Sequence, residues 1–321
     1  MVCIVTPALA DANNGNWQTA QRWARMLAEH YQVQLTDRWQ LGDPAPEAMI
    51  ALHARRSAAS IQAFADAYPD RPLIVALTGT DLYHDIHHDE SAQRSLALAD
   101  RLIVLHERAP LDLPAEYRAK TVACFQSTET QAPILDKSAM HLRALAVGHL
   151  RAEKSPQTLF EAARLLVARG RDDICIDHIG AALDAALGRE AEALDQSNAN
   201  YRWLGALPHE ATRRCIQGAH VLVHPSLMEG GAHVVMEAVC SGTPVLASRI
   251  SGNVGMLGEH YDGYFPPGDA AAAAALLMRC RDEPAMLRAL TRQCAARAHL
   301  FEPPREQATL LKLLKGELAS R

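Results

Sequence analysis

The chain has no C-x-x-C pair, and its seven cysteines, at 3, 124, 175, 215, 240, 280 and 294, are odd in number. That excludes a disulfide framework and a cysteine-held zinc site, and reads as reduced, buried thiols in a cytoplasmic protein. There is no basic arm and no block of like charge: 32 Lys and Arg stand against 37 Asp and Glu, for a net charge of −5. An anionic ligand must therefore be met by local cations, and nucleic acid is not an expected partner. No apolar run has bilayer length. The alanine-rich run 270–278 is too short and leads into Arg279 and Arg281, so no stable membrane association is expected. Ala8-Leu9-Ala10 mimics a signal cleavage site, but no Lys or Arg precedes it and Pro7 breaks the run, so this stretch reads as part of a strand. Neither D-x-D nor H-E-x-x-H occurs, and there is no internal repeat or low-complexity linker.

What is present is an alternation of short β-branched runs with long helical patterns, the signature of βαβ units and parallel sheets. Strands are expected at 1–6, 49–52, 73–77, 101–105 and 121–125, with a helix at 17–30. The pattern breaks near 130–143, around Gln131-Ala132-Pro133, and then restarts. Strands at 142–148, 174–179, 201–204, 221–224 and 245–248 alternate with helices at 156–169, 185–196, 210–219 and 270–281, and a last helix covers 306–318. The expected fold is α/β, with two Rossmann-like domains facing across a cleft. Residues 1–138, joined by a tail helix within 303–321, form the first domain, and 139–302 the second. Ligands of such sheets sit beyond the carboxyl ends of the strands.

Glu229-Gly230-Gly231-Ala232-His233 followed by Glu237 places one carboxylate in a loop, glycines at an expected helix start, and a second carboxylate within the helix. Glycines let backbone approach phosphate closely, and a helix N-terminus favours negative charge. Ionised Glu229 and Glu237 only accept hydrogen bonds, which suits sugar and ribose hydroxyls. Upstream, Gly148-His149-Leu150-Arg151-Ala152-Glu153-Lys154 is a strand end, a glycine turn and two cations. Arg151 and Lys154 together would neutralise a diphosphate, at about 1.5–3 kcal/mol per charge-assisted contact. The plainer alternatives are solvated acids on an amphipathic helix and a charged surface turn.

Taken together, Val147-Gly148…Lys154, Trp203-Leu204-Gly205, His224-Pro225-Ser226, Glu229-x7-Glu237, Gly242-Thr243-Pro244-Val245 and Gly263…Pro267-Gly268-Asp269 resemble the donor-binding domain of the retaining GT-B glycosyltransferases of family 4. The resemblance implies that Lys154 contacts the donor diphosphate, Glu229 faces the donor sugar and Glu237 holds the ribose. An Arg usually stands where this chain has His149, and Arg151 is the candidate to replace it. Leu52-His53-Ala54-Arg55-Arg56-Ser57, Leu77-Thr78-Gly79-Thr80-Asp81-Leu82-Tyr83, Phe125-Gln126-Ser127 and Ser251-Gly252-Asn253-Val254-Gly255 further resemble the selenosugar synthases of selenoneine biosynthesis. That resemblance implies transfer of a glycosyl group from a UDP-sugar, UDP-N-acetylglucosamine or UDP-glucose, to the selenium of selenophosphate. It also implies a functional link to a selenophosphate synthetase. Gly230, Gly231 and Ala232 would then support the diphosphate, and backbone near Gly180 and Leu207 would read uracil. No metal or other cofactor is implied, because cations and a helix dipole take a metal's place.

In the first half, Arg55 and Arg56 follow a strand and precede a helix, which suits a small, multiply charged anion such as the acceptor. One structural and one solvated arginine is the alternative. Asn13, Asn14, Gly15 and Asn16 form a loop able to close over phosphate or acceptor, with Gly15 assigned to the donor side and Asn16 to the acceptor side, or else an ordinary β–α turn. Thr80 and Asp81 lie at another strand end, where Asp81 would hold a sugar hydroxyl or cap the next helix. His84 and His88, four apart, lack a third ligand, and a metal site is not expected.

Overall fold

The structure is a computed structural model that describes residues 1–7 and 15–319. The chain divides into two compact units, Met1–Ser127 with Glu302–Arg321, and Thr128–Phe301. The first division lies eleven residues before the one expected at 138/139. Residues 128–138 belong to the second unit because their backbone is tied to it. The Gln131 N–H donates to the Cys240 carbonyl at 3.0 Å, and Arg213 donates to the Glu129 carbonyl at 2.8 Å.

The first unit begins with β1 (Val2–Val5), α1 (Gly15–Ala28), β2 (Val33–Thr36), β3 (Ala48–Leu52), α2 (Ala58–Ala67) and β4 (Leu73–Leu77). A π-helical turn, Asp81–Asp85, leads to α3 (Ile86–His88) and α4 (Glu90–Leu98), then β5 (Arg101–Val104), α5 (Ala109–Asp112), α6 (Ala115–Arg118) and β6 (Thr121–Ala123). The sheet is parallel with order β2-β1-β3-β4-β5-β6. Its central strands, with sequences VCIV, AMIAL and LIVAL, are buried at every position. Both faces are covered, so these strands read as continuous apolar runs. Cys3, Met49 and Val75 pack with Phe64 and Leu96 in one cluster, and Val2, Ile50 and Ile74 with Trp23 and Leu27 in another.

The second unit runs β7 (Leu142–Val147), α7 (Pro156–Ala168), β8 (Ile174–Ile179), α8 (Ala185–Ser197), β9 (Tyr201–Gly205), α9 (His209–Gly218), β10 (Val221–His224), α10 (His233–Cys240), β11 (Val245–Ser248), α11 (Ser251–Leu257), β12 (Tyr264–Phe265), α12 (Ala270–Asp282) and α13 (Pro284–Arg297). Its parallel sheet has order β12-β11-β10-β7-β8-β9, the doubly wound arrangement in which chain order reverses between β7 and β10. α10 ends in a Schellman motif. The Thr243 N–H reaches the Ala238 carbonyl at 2.9 Å, and the Gly242 N–H the Val239 carbonyl at 3.3 Å, with Gly242 at φ +74°. A Cβ on Gly242 would also lie 2.8 Å from Pro133 Cβ, so a glycine is required twice over.

The chain then returns to the first unit as α14 (Pro303–Ala319), whose Leu310 and Leu314 join the cluster around Trp23. Glu306 is buried there and accepts from Arg22 Nε at 2.8 Å, Trp23 Nε1 at 2.6 Å and the Ser127 N–H at 2.9 Å. The apolar face of α1, with Ala20, Trp23 and Leu27, is thus internal. Among the described residues no helix is long and apolar enough to cross a membrane. Ala8-Leu9-Ala10 lies outside the described residues.

Candidate functional site

In the second unit, the loops that follow β7 and β10 leave from the two strands that flank the reversal of strand order, where ligands of such sheets bind. After β7, Gly148 lets the stem of Lys154 lie across it, with Cγ and Cδ 3.6 Å from the position a Cβ would take. Lys154 ends a 3₁₀ turn, Ala152–Lys154, and Ser155 at φ +47° turns the chain into Pro156, the first residue of α7. The Leu227 N–H donates to the Glu153 carbonyl at 2.8 Å and joins this turn to the loop after β10.

That second loop carries buried Glu229. Lys154 Nζ lies 2.5 Å from Glu229 Oε1, and His224 Nε2 lies 3.1 Å from the same oxygen. Burial works against the Glu229 charge, but Lys154 and His224 outweigh it and hold the carboxyl well below the usual range. The loop is braced from behind. Ser248 Oγ donates to the Ser226 carbonyl, and Asn253 Nδ2 donates to the Ser248 carbonyl at 2.9 Å. A Cβ on Gly252 would lie 2.0 Å from the Glu229 carbonyl oxygen, so only glycine fits. Ser251-Gly252-Asn253 therefore supports the loop that holds Glu229.

Three expectations need correction here. Gly230 and Gly231 precede the helix and do not open it; α10 starts at His233, with Ala232 as an N-cap that offers no side-chain bond. The Ala232 N–H points at Met256 Sδ, 3.2 Å away, a weak acceptor. The N-terminus of α10 thus has no side-chain cap. Gly180 has both main-chain groups engaged, its N–H on the Gly205 carbonyl at 2.8 Å and its carbonyl on Trp203 Nε1 at 2.9 Å. A Cβ there would lie 1.9 Å from the Gly148 oxygen. Gly180 therefore fastens the loops together, and Leu207 lies half-buried just before α9.

Glu237 is buried on α10, and its Oε1 accepts from His209 Nε2 at 2.6 Å. The bond to Glu237 raises the pKa of His209. Arg151 is 49% exposed and stands 3.9 Å from Glu153. The nearby His149 is held by the backbone of Ala181: its Nδ1 accepts the Ala181 N–H at 3.0 Å, which puts the proton of the neutral ring on Nε2. Desolvation, then Arg151 and Lys154, lower its pKa.

In the first unit, chain order reverses between β1 and β3. After β3, His53 is buried at φ +72°, an uncommon conformation for a bulky residue. Its Nε2 lies 3.1 Å from Thr80 Oγ1, and its Nδ1 accepts the Arg56 N–H at 3.3 Å. Burial lowers the His53 pKa against the opposing pull of Asp81. Asp81 is spent on backbone: Oδ1 accepts from the N–H groups of Thr78 and Gly79, and Oδ2 from that of Ala54, at 2.8–3.0 Å. It clamps two loops from a fully buried position, which takes up three of its acceptor positions. Exposed Arg55 bonds through Nε to Asp85 Oδ2 at 2.8 Å, while exposed Arg56 has no carboxylate partner among the described residues. The Arg55 and His84 bonds lower the Asp85 pKa, although burial opposes them. Gly15 opens α1, with Asn16 next to it; Asn13 and Asn14 lie outside the described residues. The His84 and His88 rings are 5.2 Å apart, and no group of three or more metal-ligating side chains forms among the described residues.

His209, His224, His53 and Asp85 were not singled out from the sequence as site residues. His224 and His53 carried a signal, in His224-Pro225-Ser226 just ahead of Glu229 and in Leu52-His53-Ala54-Arg55-Arg56-Ser57; the other two depend on contacts between separate segments.

Residues 127–297 match the family model described as glycosyl transferases group 1. Among curated relatives, the amylovoran biosynthesis glycosyltransferase AmsK of Erwinia amylovora is 30% identical over 59% of this chain and 48% of its own length. The D-inositol 3-phosphate glycosyltransferase of Streptomyces avermitilis is 26% identical over 89% of this chain and 59% of its own. The chain thus spans about half the length of these relatives. Among solved structures, the sucrose-phosphate synthase of Thermosynechococcus elongatus superposes with a TM-score of 0.77 at 18% identity, covering 100% of this chain and 99% of that one. Anabaena HepE in complex with UDP and glucose gives 0.74 at 15%, covering 98% and 99%. These likenesses show the GT-B fold. The model match spans more than half of the chain and nearly the whole second unit, and the chain belongs to the group 1 glycosyl transferases.

Proposed function

We propose that this protein transfers a glycosyl group from a UDP-sugar, UDP-N-acetylglucosamine or UDP-glucose, to the selenium of selenophosphate. The C1–O bond to the diphosphate breaks, a C1–Se bond forms, and UDP leaves with the electron pair. Later hydrolysis of the P–Se bond gives a 1-selenosugar. The observation that carries the donor half is the Lys154–Glu229 pair, 2.5 Å apart, beside an uncapped helix N-terminus where strand order reverses. Lys154 has three N–H donors, so it can hold Glu229 and still contact a phosphate oxygen. With the Gly231 amide and the first turn of α10, it stabilises charge as UDP departs. Arg151 adds a second cation through its long side chain, and His149, whose Nδ1 accepts the Ala181 N–H, adds one N–H donor at Nε2.

The acceptor half rests on Arg55 and Arg56. Arg55 engages Asp85 through Nε only, and Arg56 has no carboxylate partner among the described residues. Two guanidinium groups suit a small phosphorus oxyanion in bidentate fashion. Selenophosphate is already an anionic, polarizable nucleophile, so the reaction needs no strong general base. Transfer to a hydroxyl is the second reading, favoured by the names of the curated relatives.

The test is UDP release from UDP-N-acetylglucosamine with and without selenophosphate, with the product examined by mass spectrometry for selenium's isotope pattern. Selenophosphate-dependent UDP and a selenium-bearing sugar are expected. UDP release that depends only on a hydroxyl acceptor overturns the selenium assignment. UDP-sugar binding without release under either condition points to a non-catalytic sensor.

A further inference from the structure

Glu237 presents two different oxygens. Oε1 is bonded to His209 Nε2 at 2.6 Å, while Oε2 has no partner among the described residues. The carboxylate is 7% exposed and fixed on α10, whereas the imidazole is 64% exposed and is the first residue of α9, two positions beyond Leu207. Each carboxylate oxygen accepts two hydrogen bonds, so a ribose diol can bind Glu237 while His209 stays in place. We propose that His209 is a positioning residue: its bond to Glu237 clasps the loop after β9 to the ribose-binding carboxylate, so that base and ribose are recognised as one unit. The inference rests on the UDP-sugar reading above and adds a residue to it.

Electrostatics favour the clasp only because Glu237 is there. A cation is disfavoured at the N-terminus of α9, and Arg213 on the next turn repels it. Glu237, facing from α10, is the main counterweight, with Glu210 adding to it, and the net effect keeps the ring protonated to higher pH than usual. As pH rises through the raised pKa, the bond passes from charge-assisted to neutral. It weakens without breaking, and ribose recognition should weaken with it.

The experiment is calorimetric binding of UDP and of 2′,3′-dideoxyuridine diphosphate to wild-type protein, His209→Ala and His209→Gln, at about pH 6 and about pH 9. The titration of the phosphate groups is common to both probes, so the ratio of their dissociation constants isolates the ribose. In wild type that ratio should shrink toward high pH. His209→Ala should weaken UDP by about tenfold at the lower pH and leave the dideoxy probe within about twofold. His209→Gln should recover most of the loss with no pH dependence in the ratio. An unchanged ratio in His209→Ala, or tighter UDP binding, overturns the clasp; the second result would make the contact a block. Failure of wild type to bind UDP at all overturns the donor reading itself, and the clasp with it.

Discussion

The two units use the same plan with opposite finish. Each has a six-stranded parallel sheet, and each places charged residues on a loop at the reversal of strand order: Lys154 and Glu229 in the second unit, His53, Arg55 and Arg56 in the first. In the second unit the cation meets a buried carboxylate on a loop braced by Ser248, Gly252 and Asn253. In the first, Asp81 braces the loops and a separate buried carboxylate, Asp85, holds Arg55, while both arginines remain exposed. The family model follows the same line, since it matches 127–297 and leaves the first unit out. The comparison teaches that the second unit, which the family model matches, holds its charged pair on a braced loop, while the first keeps its arginines at the surface.

Substituting the braced cation breaks the comparison most severely. Lys154→Ala removes the charge proposed to face the leaving group and leaves Glu229 with His224 alone. Turnover should fall by about 10²–10³-fold with any acceptor, with circular dichroism checking that the fold is kept. Near-normal kcat would remove Lys154 from the chemistry. Arg55→Ala sharpens the contrast: the KM for selenophosphate should rise about tenfold and the Kd for UDP stay within about twofold. A matching loss of UDP affinity would refute its placement on the acceptor side. The smallest effects concern stability. Gly252→Ala should cost about 2–4 kcal/mol in urea unfolding, because its Cβ would meet the Glu229 carbonyl. Gly15→Ala, where a Cβ meets nothing within 4 Å, should fall within about 0.5 kcal/mol. Equal costs would mean that the bracing of the second loop is not the distinguishing feature.

Much of this was legible in the sequence. The strands AMIAL, LIVAL and VLVH were clear because both faces are buried, which produces unbroken apolar runs. The edge strand VQLT was not, since its half-exposed Gln34 and Thr36 interrupt that signal. Glu229, Glu237 and Lys154 could be found because glycines and a helix pattern frame them. The clamping role of Asp81 could not, because it depends on the N–H of Ala54, 27 residues away. His209 was hidden for the same reason, with its partner 28 residues later on another element. Local periodicity shows where loops begin and end, but not which side chains they exchange.

The return of α14 to the first unit has a consequence for biosynthesis. Trp23, Arg22 and Ser127 await Glu306, and that residue leaves the ribosome only after all of 128–301 has been made. At about 5–20 residues per second, translation of that insert takes on the order of ten seconds or more. By the end of this interval the later-encoded unit has every strand of its sheet, while the first sheet still lacks Leu310 and Leu314 on one face. The second unit can therefore close before the first is completed by α14.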